Sequence, residues 1–234
     1  MPGFEQMRSI DDNPVIFINE EFVGSKVDPF GLDRLLAEGW RHFGPRFFRY
    51  SLALYGNDIR RVVPLRIRLS KFRRSRSQAK VVKKNIDVEL AVERSAVTDE
   101  VEELFSIHRN RFRRHRPDSI YTFIAPNAAA EPCEVRQMSI RKNGKLIAAS
   151  FFDVGNSSSS GIYAVFDPAE SARSLGIFTQ LAEIELAAVE GKEFYYLGYC
   201  YNGSSFYDYK KQFYGIEAYD WEGNWHPIER NAEL

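Results

Sequence analysis

The chain predicts an α+β protein, a mixed and mostly antiparallel sheet with flanking helices, preceded by a smaller N-terminal α+β region. Three observations predict it. Asn143-Gly144 separates two apolar runs, Val135–Arg141 and Leu146–Phe152, and Asn-Gly supplies the two positive-φ positions of a tight hairpin turn. Apolar residues recur at helical spacing from Thr98 and again after Gly176. β-Branched and aromatic runs, Ile162–Phe166 and Phe194–Cys200, flank the second of these helices.

The elements follow in chain order. Residues 1–28 hold short strand-like pieces, Val15–Ile18 and Glu21–Val23. Asp28-Pro29 then opens a helix, Phe30–Glu38, with Gly39 as its terminator. Phe47–Tyr55 is aromatic and apolar. Pro64–Leu69 alternates apolar and basic residues, which predicts a strand with an arginine face. The basic stretch Ser70–Lys84 becomes helical after Ser75 or Ser77. From Ile86 the pattern changes, so the expected division is 1–88 and 89–234. IDVELAV predicts a strand, and Thr98 caps a helix to His115 that Pro117 ends. After the hairpin, Asn156–Ser160 reads as a low-complexity loop. The next helix starts at Arg173-Ser174-Leu175-Gly176, with Ser171 or Ser174 as N-cap. Ile177, Leu181, Ile184 and Ala188 form its apolar face, and Gln180, Glu183 and Glu190 its polar one. Gly191 stops it. Phe206–Phe213 reads as a short helix, and Glu217–Tyr219 with Trp225 as a final strand or hairpin.

The totals bound the function. The chain has 234 residues, 44% hydrophobic and 27% charged, with a net charge of zero, so its overall charge does not point to a polyanion. Distribution does. Arg60–Lys84 carries eleven Lys or Arg and no acid, and Arg109–Arg116 carries five arginines. A neutral protein with such a basic centre can offer a positive face to nucleic acid. Cys133 and Cys200 lie far apart without a CxxC, which excludes a cysteine zinc or iron–sulfur site and a disulfide scaffold and fits a reducing cytoplasm. No apolar run suggests a signal peptide or a membrane span. No metal and no bound cofactor is expected.

The second half reads β, α, β-hairpin, β, phosphate-loop helix, β, short helix, β, an order that resembles the acyl-CoA N-acyltransferase (GNAT) fold. Four blocks carry a narrower resemblance. FRRSRSQAKVVKKNIDV is similar to F-x-x-S-R-S-Q-R-R-x-x-K-R-N-x-D, and LLAEGWRHFGPRFFRY to L-x-x-x-G-F-R-R-S-G…Y-R-P. SSGIYAVFDP…RSLGIF is similar to S-x-V-Y-x-F-x-D-P…R-S-L-G-x-F, and YYLGYCYNGSSFYDYKKQF to Y-L-G-Y-W-x-x-x-x-x-M-x-Y-K-x-x-F. In register from Pro29 to Trp225, they resemble the aminoacyl-tRNA–protein transferases, the arginyl and leucyl enzymes of N-terminal degradation signals. The chain departs from that pattern in lacking cysteines over Tyr50–Asp58 and in carrying Cys200 after Gly198-Tyr199.

The resemblance implies a cytoplasmic enzyme that moves an arginyl or leucyl group from charged tRNA, its co-substrate, to the free and in one reading acidic N-terminus of a protein or peptide. An aminoacyl ester is already activated and an α-amine titrates near ~8. Positioning, some proton removal and oxyanion stabilisation then suffice. Arg173, Ser174, Leu175 and Gly176 are expected to hold phosphates at the tRNA 3′ end, and Arg74, Arg76, Lys83 and Lys84 (with Arg73 and Lys80) to track the acceptor stem. Tyr199 and Lys210 are the candidates for orienting substrate, Asp153 for the base, and Ser160, Tyr163 and Arg66 for substrate contact. His108 and His115 are read as an interior contact and a surface base. An acyl-CoA-dependent N-acyltransferase and a catalytically inactive tRNA-binding module are the alternatives.

Overall fold

A computed structural model describes residues 16–112 and 116–234. Val15 of the expected Val15–Ile18 strand and Arg114-His115, the expected end of the helix from Thr98, lie outside the described residues; that helix already ends at Arg109, so it is shorter than expected. A mixed α+β architecture results, with a mostly antiparallel sheet.

Strand β1 (Asn19–Val23) pairs antiparallel with β3 (Arg46–Tyr50), which also pairs with β2 (Arg41–Phe43), so a three-stranded sheet opens the molecule. Helix α1 (Pro29–Ala37) lies between β1 and β2 in sequence. Asp28 caps it, its Oδ1 accepting from the Gly31 amide at 2.7 Å, and Pro29 takes the first turn. β4 (Leu52–Tyr55) folds back on β5 (Asp58–Arg68) as a hairpin.

β5 is longer than the Pro64–Leu69 run predicts, and from within the expected 1–88 region it joins the sheet formed by later strands. It lies between β10 (Phe194–Tyr201) and β11 (Ile216–Tyr219), antiparallel to both. The large sheet runs β12 (Trp225–Pro227), β11, β5, β10, β9 (Ser158–Phe166), β8 (Lys145–Val154), β7 (Val135–Lys142), β6 (Glu89–Arg94). Among its pairs only β9–β10 is parallel. Asn143-Gly144 turns β7 into β8 with positive φ at both residues, as expected.

Residues 158–160 correct the loop reading of Asn156–Ser160. They begin β9, and each buried hydroxyl finds a partner: Ser158 Oγ on Asp33, Ser159 Oγ on the Asp153 carbonyl, Ser160 Oγ on Arg41. Serine runs look like loops in sequence because the partners that permit burial come from elsewhere in the chain.

Helices cover both faces. α3 (Asp99–Arg109) packs Val101, Leu104 and Phe105 on Ala149 and Phe151. α4 (Leu175–Val189) packs Leu175 and Phe178 on Ala148 and Phe152, and Leu181 and Ile184 on Leu65 and Tyr195. α2 (Arg76–Lys83) begins at a capping box in which Ser75 and Gln78 exchange side-chain and backbone bonds, and it lies against α4. Neither Ser171 nor Ser174 caps α4 by its side chain. Ser174 is left-handed (φ 57°), and Asp167 caps the preceding 3₁₀ turn, Pro168–Arg173. Among the described residues, no helix is long and apolar enough to cross a membrane.

Candidate functional site

β9 and β10 stay paired for three residues only, ending at Ser160 opposite Tyr196. Beyond that point the two parallel strands separate. β10 adds an irregularity against β5 between Tyr196 and Gly198, where Gly198 takes φ 80°, a conformation that side-chain-bearing residues avoid. A sheet opened in this way exposes backbone groups that need partners.

Arg41 meets that need. Its guanidinium donates to Ser160 Oγ and to the Gly161 carbonyl on β9, while its Nε lies 3.6 Å from where a Gly198 Cβ would stand on β10. Lys210, from the 3₁₀ segment Phe206–Gln212, approaches the same spot. Its Nζ lies 3.4 Å from that Cβ position and donates to the Tyr199 carbonyl at 2.8 Å. Burial, then the nearby Arg41 charge, push the Lys210 ammonium down to about 7. Among the described residues, neither cation has a carboxylate within ion-pair reach. The fork between β9 and β10 is therefore electropositive, held by two cations bonded to its backbone and to Ser160.

The expected site residues divide around this fork. Lys210 is at it. Tyr199 is on β10 beside Gly198, but its hydroxyl donates to the Gly39 carbonyl at 2.7 Å, and burial raises its pKa strongly. Ser160 is wholly buried and serves Arg41. Tyr163 stacks on Phe123 at 3.9 Å and keeps a buried hydroxyl with no hydrogen-bond partner among the described residues.

Asp153, expected as a base, is 1% exposed and bonded at 2.8 Å to His42 Nε2, so an internal ion pair replaces an open carboxylate. Burial opposes a charge on that imidazole, and Asp153 more than offsets it, holding the His42 pKa above its ordinary value. Arg66, expected to meet substrate, is buried against Glu217 at 2.8 Å, with Phe194 and Trp225 stacked near its guanidinium. Its charge is already matched.

Similar corrections apply at the helix turn. Arg173 forks onto both oxygens of Asp87 at 2.6 and 2.8 Å and also binds Glu170 at 2.7 Å. Arg74 pairs with Glu185. A Cβ on Gly176 would come 3.3 Å from the Phe166 ring, so a side chain from β9 takes the close approach expected of a ligand. Ser174 and Leu175 shape the turn by a left-handed residue and a buried one.

What remains is on α2. Arg76, Lys80 and Lys83 recur on its exposed face and have no carboxylate partner among the described residues. Lys84 follows, its Nζ donating to the Ala172 carbonyl at 3.0 Å, and Arg173 reaches back to the Lys84 carbonyl at 2.8 Å. The basic helix thus ends against the turn that precedes α4.

Residues 100–220 match the sequence model of the arginine-tRNA-protein transferase C terminus, about half of the chain. The chain belongs to the aminoacyl-tRNA–protein transferase family. Its class is that of aminoacyltransferase enzymes. Aspartate/glutamate leucyltransferase of Stenotrophomonas maltophilia strain K279a is 29% identical over 212 residues, spanning 85% of this chain and 80% of that one. The protein of the same name from Aeromonas hydrophila subsp. hydrophila is 29% identical over 214 residues, 89% and 86% of the two chains. Among solved structures, FemX superposes with a TM-score of 0.44 at 13% identity, over 75% of this chain and 61% of its own.

Three residues of the site escape sequence reasoning. Arg41 lies far from the fork in sequence, and only the folding of β2 onto β9 brings it there. Arg111, just past α3, sets its guanidinium 4.6 Å over the Phe166 ring that faces Gly176. Glu183 is 3% exposed and accepts from the Tyr195 hydroxyl beneath Gly161, although helical periodicity places it on the polar face. One signal was present: Gly176, Thr179, Glu183 and Ala187 share a stripe whose other members are small or apolar.

Proposed function

We propose that this protein transfers a leucyl group from charged tRNA to the α-amine of a protein whose first residue is acidic, using a GNAT-like fork between β9 and β10 as the transfer site. The single observation that carries the reading is that the cation row of α2, without a carboxylate partner among the described residues, ends at the turn before α4, so one polyanion can lie along both. The RNA backbone runs along Arg76, Lys80 and Lys83, while Arg111 and the start of α4 receive phosphates near the 3′ end. Leucine is chosen over arginine because the similar proteins are named aspartate/glutamate leucyltransferases.

At the fork, Arg41 suits the acceptor's side-chain carboxylate, which a planar guanidinium binds in a fork of its own. Lys210 is half neutral near pH 7 and can take a proton from the attacking amine. The nitrogen attacks the ester carbonyl, the tetrahedral oxyanion forms and collapses, and the ribose hydroxyl leaves. Ester and amine are both reactive, so geometry supplies most of the acceleration.

The test offers radiolabelled leucyl-tRNA and arginyl-tRNA with peptides beginning Asp, Glu or Ala. Transfer of leucine to the Asp and Glu peptides supports the reading. Arginine as the sole group transferred overturns the donor, and no transfer from either tRNA overturns the reaction. Arg41→Ala is expected to lower kcat/KM at least tenfold for acidic acceptors. The wild type is expected to show a rise of kcat/KM with pH through about 7, and Lys210→Met to flatten it.

A further inference from the structure

His42 (β2), Cys133 (just before β7) and Asp153 (β8) come from three separate segments, and their ligating atoms all lie within 4.8 Å of one another. Sγ of Cys133 is 3.3 Å from His42 Nε2 and 3.6 Å from Asp153 Oδ1, and Nε2 is 2.8 Å from Oδ1. All three side chains are buried, at 3%, 2% and 1% exposure. The other imidazole nitrogen, Nδ1, donates to the Gly44 carbonyl at 2.8 Å, which leaves Nε2 directed at the cluster. A histidine fixed from behind by a carbonyl is the arrangement that metal-ligating imidazoles adopt.

We propose that His42, Cys133 and Asp153 bind a thiophilic divalent cation, with zinc as the type. Around a tetrahedral ion with bonds of about 2.0 Å to nitrogen and about 2.3 Å to sulfur, ligand atoms stand about 3.3–3.6 Å apart. Both sulfur separations fall in that range, and the His42–Asp153 separation needs to open by about 0.5 Å. Nitrogen, oxygen and sulfur that converge in a dry interior are all electron-rich, so something positive belongs between them, a proton or a metal ion. Binding forms three bonds to the metal and releases to solvent the Cys133 thiol proton and the proton between Nε2 and Oδ1. The site departs from the expectation of no metal, which rested on the absence of a CxxC, because its donors come from three separate segments and include a single cysteine. The ion would tie β2 to β8, next to the residue, Arg41, that bridges the fork. The inference does not depend on the reaction proposed above.

Cobalt(II) is the probe, added to the whole metal-free protein. One equivalent is expected to produce a thiolate-to-cobalt charge-transfer band in the near ultraviolet, absent from Cys133→Ser and weakened at least tenfold in apparent affinity in His42→Gln. Zinc is expected to raise the Tm of wild type by several degrees and to leave that of Cys133→Ser unmoved. Circular dichroism of the metal-free variants, matching wild type, keeps the comparison valid where a variant folds. If His42→Gln does not fold, the Cys133→Ser pair of measurements decides alone. A spectrum without the band at excess cobalt overturns the proposal and leaves a His–Asp ion pair. A band that persists in Cys133→Ser also overturns it, because the sulfur is then Cys200 or the binding is adventitious.

Discussion

Glu183 shows how one residue couples burial to pH. Burial pushes its carboxyl up to about 7 from an ordinary value of 4.5, against the hydrogen bond from Tyr195. A folded-state value above the unfolded one means that the native state holds the proton more tightly. The stability it lends is complete below pH 4.5 and is lost as pH rises through about 7, about 3 kcal/mol in all at 1.36 kcal/mol per unit. Glu183→Gln keeps an acceptor for Tyr195 without the charge, so its Tm should exceed that of wild type at pH 8 and match it at pH 5. Parallel melting profiles across that range would show that Glu183 does not titrate there. The residue reads as surface in sequence because periodicity finds a helix's apolar stripe but not the tyrosine, on a later strand, that lets a carboxyl join it.

At the scale of elements, α2 and the turn before α4 are tied together through Lys84 and Arg173, and their cations fall into two sets. The expected ligands Arg173 and Arg74 are spent on Asp87, Glu170 and Glu185, and they fix the turn and helix in place. Arg173→Ala should therefore lower the Tm, and Asp87→Ala should lower it in the same direction, since each variant breaks the same fork. The three outer cations do the opposite. Replacing Arg76, Lys80 and Lys83 together by Ala should leave the Tm within a degree or two and weaken charged-tRNA binding. The slope of log K against log salt should become shallower by about two to three, near 0.7–0.9 per lost phosphate contact. A variant with unchanged slope would place the RNA elsewhere. Sequence marks the basic block clearly and cannot divide it, because Glu185, which claims Arg74, and Asp87, which shares Arg173 with the nearby Glu170, stand 111 and 86 residues away.

Across the whole molecule, β5 joins the N-terminal segment to the C-terminal one by lying inside the sheet they share. Arg66 and Glu217 pin that junction in a buried ion pair between neighbouring strands. Arg66→Ala takes from the buried Glu217 carboxylate one of its two arginine partners and leaves Arg68 on the other oxygen at 2.7 Å, so the loss should stay below the about 3–5 kcal/mol of a fully orphaned buried charge. A urea melt should show that loss as one cooperative transition at lower midpoint. Two separate transitions would mean that the sheet does not unite the segments. By itself, the sequence determined the caps of α1, α2 and α3, the hairpin and the four motif blocks, and through these the family, because each depends on residues adjacent or at fixed short spacing. Only the tertiary structure decided which cations stay free, which carboxyls are buried and where β9 and β10 part, because electrostatic pairing and desolvation depend on neighbours that come from anywhere along the chain.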